Sequence, residues 1–240
     1  MNLTTYKHGP LSRTPNHQNR KVALVDFDGV IIRNKRVHEH IVDRVNNYVG
    51  NVLKIESPES TKRVNKYLYQ TYGHTLIGLE KVVGPEISGS LADFNKFVYE
   101  NVHLDRDDFY AIKKELMDWQ RFVTKMELAN IPIYIFSNAP QEWCLNFIDK
   151  HSVTGFIMES LPKETIYLKP ELKVFEVVNA WFHNSEVFFI DDKVHNMKHT
   201  IKKQNWTNIV FDEDHPRESF KLQDRLYMSK NLDACAEIIS

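Results

Sequence analysis

The sequence predicts an α/β protein built on a doubly wound parallel sheet, Rossmann-like, with an inserted helical subdomain. Three observations predict it. Four short runs are apolar on both faces, as strands buried between two helical layers are: VALVDFD (22–28), IPIYIFSN (131–138), EVFFIDD (186–192) and TNIVFD (207–212). Helical stretches separate the later runs. About 100 residues part the first run from the second, and they read as helices rather than strands.

Taken in order, residues 1–20 are expected to form a flexible arm that precedes the first strand. The first 25 residues hold four basic side chains (Lys7, Arg13, Arg20, Lys21) and no acid, without the apolar core of a secretory signal. After the first strand, Val37, Ile41, Val45 and Val49 recur at every fourth position and predict a helix that stops at Gly50. Ser57-Pro58 opens a second helix carrying Val64, Tyr67, Leu68 and Tyr72, which Gly73 ends. A third starts at Ser90 and buries Leu91, Phe94, Phe97 and Val98. Residues 34–106 are therefore expected to form a helical cap, and residues 21–33 with 107–240 the α/β core. In that core a helix is expected over 108–129 (Phe109, Ile112, Leu116, Trp119, Val123, Met126), one over 140–150, and one over 170–181 with Pro170 as its first residue. A terminal helix is expected near 231–239, whereas residues 213–230 give no clear pattern.

Composition excludes several functions. Basic and acidic residues nearly balance, 31 against 32, so nothing global favours nucleic acid or an anionic membrane. No apolar run approaches the 18 or so residues of a membrane-spanning helix. The two cysteines, Cys144 and Cys235, lack the dense spacing of a disulfide framework, and a reducing cytoplasm is the expected compartment.

Chemistry enters at the strand ends, where ligands collect in a doubly wound sheet. The first run ends in Asp26 and Asp28, the second in Ser137 and Asn138, the third in Asp191 and Asp192, and Lys169 stands just before Pro170. Each signal alone has an ordinary explanation: an Asp-Gly turn, a polar turn, a helix-capping pair, a solvated lysine. Together they would require four coincidences in the right order. Two carboxylates about 4 Å apart repel by about 4 kcal/mol at an effective dielectric near 20, so the converging aspartates need a cation. Oxygen ligands without cysteine suit magnesium better than zinc. The histidine pairs His38/His40 and His195/His199 lack the flanking residues of a zinc-protease helix and are expected to be surface groups.

In this order, VDFDGV, IFSN, LKPE and FFIDD resemble the motifs of the haloacid dehalogenase (HAD) superfamily, over about residues 21–212. The resemblance implies a magnesium-dependent phosphatase acting through a phospho-aspartyl intermediate. Asp26 would attack phosphorus, and Asp28 would protonate the leaving oxygen and later activate water. Ser137, Asn138 and Lys169 would bind the phosphoryl group. Magnesium would be held by Asp26, the Asp28 carbonyl, Asp191 and Asp192. An ordinary aspartate is almost wholly ionised at neutral pH, so Asp28 must have its pKa raised to act as an acid.

The segment QTYGHTLIGL (70–79) is similar to the cap segment of the pyrimidine 5'-nucleotidase-like members, with Ile77 where a basic residue often stands. The implied partner is a small phosphorylated metabolite, in first place a nucleoside 5'-monophosphate, with Tyr72 and His74 as the cap residues facing it. A sugar-phosphate phosphatase, a phosphomutase on the same frame, and a catalytically silent binding protein are the alternatives.

Overall fold

The structure is a computed structural model that describes residues 21–100, 102, 104–161 and 167–240; the expected arm, residues 1–20, lies outside these. In chain order the elements are β1 (Lys21–Val25), α1 (Lys35–Leu53), α2 (Pro58–Tyr72), α3 (Thr75–Val83), α4 (Pro85–Ser88), α5 (Leu91–Tyr99) and α6 (Arg106–Leu128). There follow β2 (Ile133–Ile135), α7 (Gln141–Leu145), β3 (Gly155–Phe156), α8 (Leu172–Trp181), β4 (Glu186–Asp191), β5 (Trp206–Phe211), β6 (Ser219–Gln223), β7 (Leu226–Ser229) and α9 (Leu232–Ile239).

The strands form one sheet in the order β3-β2-β1-β4-β5-β7-β6. All neighbours are parallel except β6, which pairs antiparallel with β7 at the edge. Alternation along each strand feeds two separate cores. Ala23 and Val25 of β1, Ile133 and Ile135 of β2, and Phe188 and Ile190 of β4 pack with α6 and α9 on one face. Val22, Leu24, Tyr134, Phe136, Val187 and Phe189 pack on the other face with Val174, Phe175 and Val178 of α8. This is the doubly wound α/β sheet that the apolar runs predicted.

The helices between β1 and α6 close a core of their own. Tyr48 and Val49 of α1, Leu68 of α2, Leu76 and Leu79 of α3, and Phe94 and Val98 of α5 form a third apolar cluster. Their caps follow the sequence signals: Ser57 accepts from Ser60 N, Gly73 ends α2 at φ 81°, and Ser90 forms a capping box with Asp93.

Several boundaries differ from expectation. α1 runs through Gly50 to Leu53, because a Cβ at Gly50 would stand only 3.3 Å from the Ile55 carbonyl oxygen; the glycine admits a close chain crossing instead of ending the helix. α3 and α4 were unforeseen, since residues 75–79 are buried on every side and show no amphipathic stripe. Pro170 is not the first residue of α8, which begins at Leu172; Glu171 N donates to Leu168 O at 2.8 Å, so Pro170 lies in a tight turn. α7 is shorter than the predicted 140–150. The hairpin of β6 and β7 escaped notice because β6 is mostly exposed and carries no buried stripe. Cys144 and Cys235 are buried and unpaired. No helix among the described residues is long and apolar enough to cross a membrane.

Candidate active site

The site starts where β1 stops. Asp26 N still donates to Ile190 O at 2.9 Å, as a continuing strand would, and the chain then turns within a few residues. Ile31 N and Ile32 N both donate to Phe27 O, at 2.9 and 3.1 Å, and Gly29 takes φ 88°. The Asp-Gly pair is thus a real turn. Phe27 is fully buried within it, while Asp26 and Asp28 on either side both line one cavity. Gly29 has a steric duty as well, because a Cβ there would lie 2.5 Å from Asp192 Oδ2.

At the end of β2, Asn138 clamps the backbone of Lys169: Asn138 Nδ2 donates to Lys169 O at 2.9 Å and Lys169 N donates to Asn138 Oδ1 at 2.8 Å. The Lys169 side chain, 1% exposed, therefore enters the site with a fixed root. Its Nζ lies 3.0 Å from Asp26 Oδ2 and 2.6 Å from Asp191 Oδ2, over the rings of Phe136 and Phe189. Burial opposes the ammonium charge, but Asp191 and then Asp26 outweigh it and hold the amine above its ordinary value.

Asp191, at the end of β4, is fully buried and saturated with donors. Asn196 Nδ2 donates to both its oxygens at 2.9 Å, and Lys193 N donates to Oδ1 at 2.8 Å. Asp192 pairs with the Lys193 ammonium at 2.6 Å. Carboxylate oxygens of Asp26, Asp191 and Asp192 lie within 4.8 Å of one another. Burial and then Asp26 push the Asp192 carboxyl up.

Asp28 is half-buried, and Trp143 Nε1 of α7 donates to its Oδ1 at 3.3 Å. Burial, followed by the charge of Asp26, pushes its pKa up to about 7, against the pull of the Trp143 hydrogen bond. Ser137 is buried; its Oγ accepts from Ala139 N at 3.3 Å, which leaves the hydroxyl proton to donate.

Asp26, Asp28, Ser137, Asn138, Lys169, Asp192, Lys193 and Asn196 line a cavity of about 780 Å³ between the strand ends and the helices α1, α2 and α5; Asp191 and Trp143 stand behind its wall. Its far wall includes Asn46, Lys62, Asn65, Lys66, Tyr69 and His74. A more open hollow of about 530 Å³ beside the start of α6, lined by Phe109 and Tyr110, contains none of these groups.

No family model and no curated protein matches this chain. Solved structures do match in fold. A HAD phosphatase from Thermococcus onnurineus superposes with a TM-score of 0.50 at 13% identity, over 92% of this chain and 98% of that one. The chain has the haloacid dehalogenase fold. An L-2-haloacid dehalogenase also matches, with TM-score 0.49, 9% identity, and 92% and 99% of the two chains covered. A cytosolic 5'-nucleotidase IIIB bound to cytidine also matches, with TM-score 0.36, 15% identity, and 82% and 74% of the two chains covered.

On this HAD fold the four motifs converge, while one of the sequence-derived assignments shifts. Asn138 lines the cavity and bonds the Lys169 backbone through its side-chain oxygen and one amide hydrogen, so it also positions the lysine. Tyr72 is absent from the cavity wall; it packs into the helical core, where a Cβ at Gly78 would touch its ring at 3.0 Å. His74 does line the cavity. Its Nδ1 accepts from Leu76 N at 3.2 Å, and burial lowers its pKa to about 4, so it is neutral with Nε2 as the donor. Residues missed from sequence are Trp143, Asn196, Lys193 and Tyr69. Only Asn196 offered a signal, a carboxamide five positions after Asp191 on the same loop.

Proposed function

We propose that the chain is a magnesium-dependent phosphatase for a small phosphomonoester, working through a phospho-aspartyl intermediate. One observation carries the reading: Asp26 is held 3.0 Å from a buried ammonium, and two residues away Asp28 has a pKa of about 7, both facing one cavity. A carboxylate oriented by a buried ammonium can serve as a nucleophile, and a neighbouring group that titrates near neutrality can give and take a proton.

In the first step an Asp26 oxygen bonds to phosphorus as the ester P–O bond breaks, and Asp28 delivers its proton to the departing oxygen. In the second, Asp28 removes a proton from water, the water oxygen bonds to phosphorus, and the Asp26–phosphorus bond breaks to release inorganic phosphate. Lys169 and the Ser137 hydroxyl offset charge on the phosphoryl oxygens. Asn138 and Asn196 keep Lys169 and Asp191 in place.

The residues suit a divalent ion. Three carboxylates meet two ammonium groups, Lys169 and Lys193, so one negative charge is left over among hard oxygen donors. Asp26, Asp191 and Asp192, with the Asp28 carbonyl, would hold magnesium, which when bound neutralises phosphoryl charge.

Residues 34–106 serve in this reading as a cap that excludes competing water during the first step. A nucleoside 5'-monophosphate is the substrate we favour. The cavity of about 780 Å³ accommodates one, and the rings of Tyr69, Phe94 and Tyr99 with the His74 Nε2 donor offer stacking and a hydrogen bond to a base. The test is Asp26→Asn, which should abolish magnesium-dependent phosphate release from a phosphomonoester panel while circular dichroism stays unchanged. Wild-type release by that variant would overturn the mechanism.

A further inference from the structure

α2 turns one polar stripe toward the cavity. Lys62, Asn65, Lys66 and Tyr69 all line it, at the i, i+3, i+4, i+7 spacing of a single helical face. Asn65 is buried and held on both sides, donating to Asn46 Oδ1 at 2.8 Å and accepting from Thr75 Oγ1 at 2.7 Å. Asn46 and Thr75 are themselves buried and line the same cavity. This chain leaves the Asn46 amide nitrogen with no partner among the described residues.

Lys62 and Lys66 likewise have no ion-pair or hydrogen-bond partner among the described residues, although Glu39 and Asp43 line the cavity from α1. Both ammonium groups of the stripe are solvent-exposed and, among the described residues, unpaired, and the amide of the buried Asn46 adds a third free donor to the same wall. The complement of such a wall is a cluster of negatively charged oxygens. Tyr69 stands at the end of the stripe nearest Asp192 and Lys193. Lys62, seven residues earlier, is about 10 Å from it along the helix axis. A small ester with its phosphoryl group at Asp26 would rest its far end against the lysines.

We propose that Lys62, Lys66 and Asn46 bind a second anionic group of the substrate, a carboxylate or another phosphate, at the end remote from the phosphoryl group that is cleaved. The inference rests on the phosphatase reading of Asp26 and does not depend on a nucleoside leaving group. Two lysines facing Glu39 and Asp43 do not make the continuous basic track that a nucleic-acid strand requires.

The test measures dissociation constants on Asp26→Asn protein, so that binding is scored without turnover. Matched esters are compared: glycerol phosphate with phosphoglycerate, a hexose phosphate with its aldonic-acid counterpart, and a nucleoside monophosphate with the corresponding bisphosphate. The first two pairs report a carboxylate and the third a phosphate. In at least one pair the more anionic member should bind about tenfold tighter or better, with the advantage shrinking as salt rises. Adding Lys62→Met and Lys66→Met, both helix-compatible and on an exposed face, should bring that ratio to within about threefold of one. A ratio that survives the two substitutions, the absence of any preference, or the failure of every ester to bind overturns the proposal. Phosphate release by the wild-type enzyme, scored in parallel, tests the phosphatase reading separately: no release with an intact lysine-dependent preference overturns that reading alone.

Discussion

Lys169 Nζ bridges Asp26 and Asp191, 3.0 Å from one carboxylate and 2.6 Å from the other. The lysine is the charge that lets two acids share a dry space. Replacing it with methionine fills similar volume but strands both carboxylates, and removing one partner of a buried pair typically costs about 3–5 kcal/mol. Lys169→Met should therefore lower the unfolding free energy by that order and reduce phosphate release at least a hundredfold. Unchanged stability in a urea titration would contradict the bridging role.

Trp143 should act on Asp28 through its indole hydrogen bond. The bond favours the ionised carboxylate, so Trp143→Phe removes a stabiliser of the charged form and the Asp28 pKa rises further. Asp28 must be protonated for the first step, so activity declines as pH climbs through that pKa. In Trp143→Phe the alkaline limb of log kcat/KM should move to higher pH. An unmoved limb would mean that the indole does not tune Asp28.

The same carboxyl sets a pH dependence of stability. An acid whose pKa is higher folded than unfolded binds a proton in the native state first, so stability falls as pH rises from about 4, the unfolded value, to about 7, the folded one. Asp28→Asn removes that penalty. In metal-free buffer its Tm should exceed the wild-type Tm by a few degrees at pH 8 and match it near pH 4. A gain of equal size at both ends would point to a cause other than ionisation.

Gly29 is a position where a methyl group should be poorly tolerated. Its φ of 88° disfavours any side chain, and the added carbon would lie 2.5 Å from Asp192 Oδ2. Gly29→Ala should cost about 1–3 kcal/mol and push Asp192 out of the carboxylate group. Magnesium should raise the Tm of the wild type, with chelation reversing the rise, and should raise that of Gly29→Ala far less. An equal magnesium response would show that Asp192 contributes nothing to the cation.

The four adjacent parallel strands β1, β2, β4 and β5 were legible in the sequence because both faces of each are apolar and each ends in a polar group. Those ends carried Asp26, Asp28, Ser137 and Asp191, so the cluster could be named before its geometry was seen. What the chain concealed was of two kinds. Residues 75–79 are buried all round, so α3 shows no stripe to count. Trp143, Asn138 and Tyr69 act through contacts across 115 residues, across 31, and across an open cavity, and local patterns are silent about such distances. Pro170 misled for a related reason, since proline fits a tight turn as readily as a helix start.

The long helical insertion has a consequence for how the protein comes into being. β1 is an interior strand of the sheet, flanked by β2 from residue 133 and by β4 from residue 186, so a growing chain carries this apolar strand with both hydrogen-bonding edges bare until those partners are made. The helices of α1 to α5 can close their own core in the meantime. Asp26 at the end of β1 can meet Lys169 and Asp191 only after the chain has been made through residue 191, so the cluster is held by contacts of large sequence separation, the kind that is slow to form.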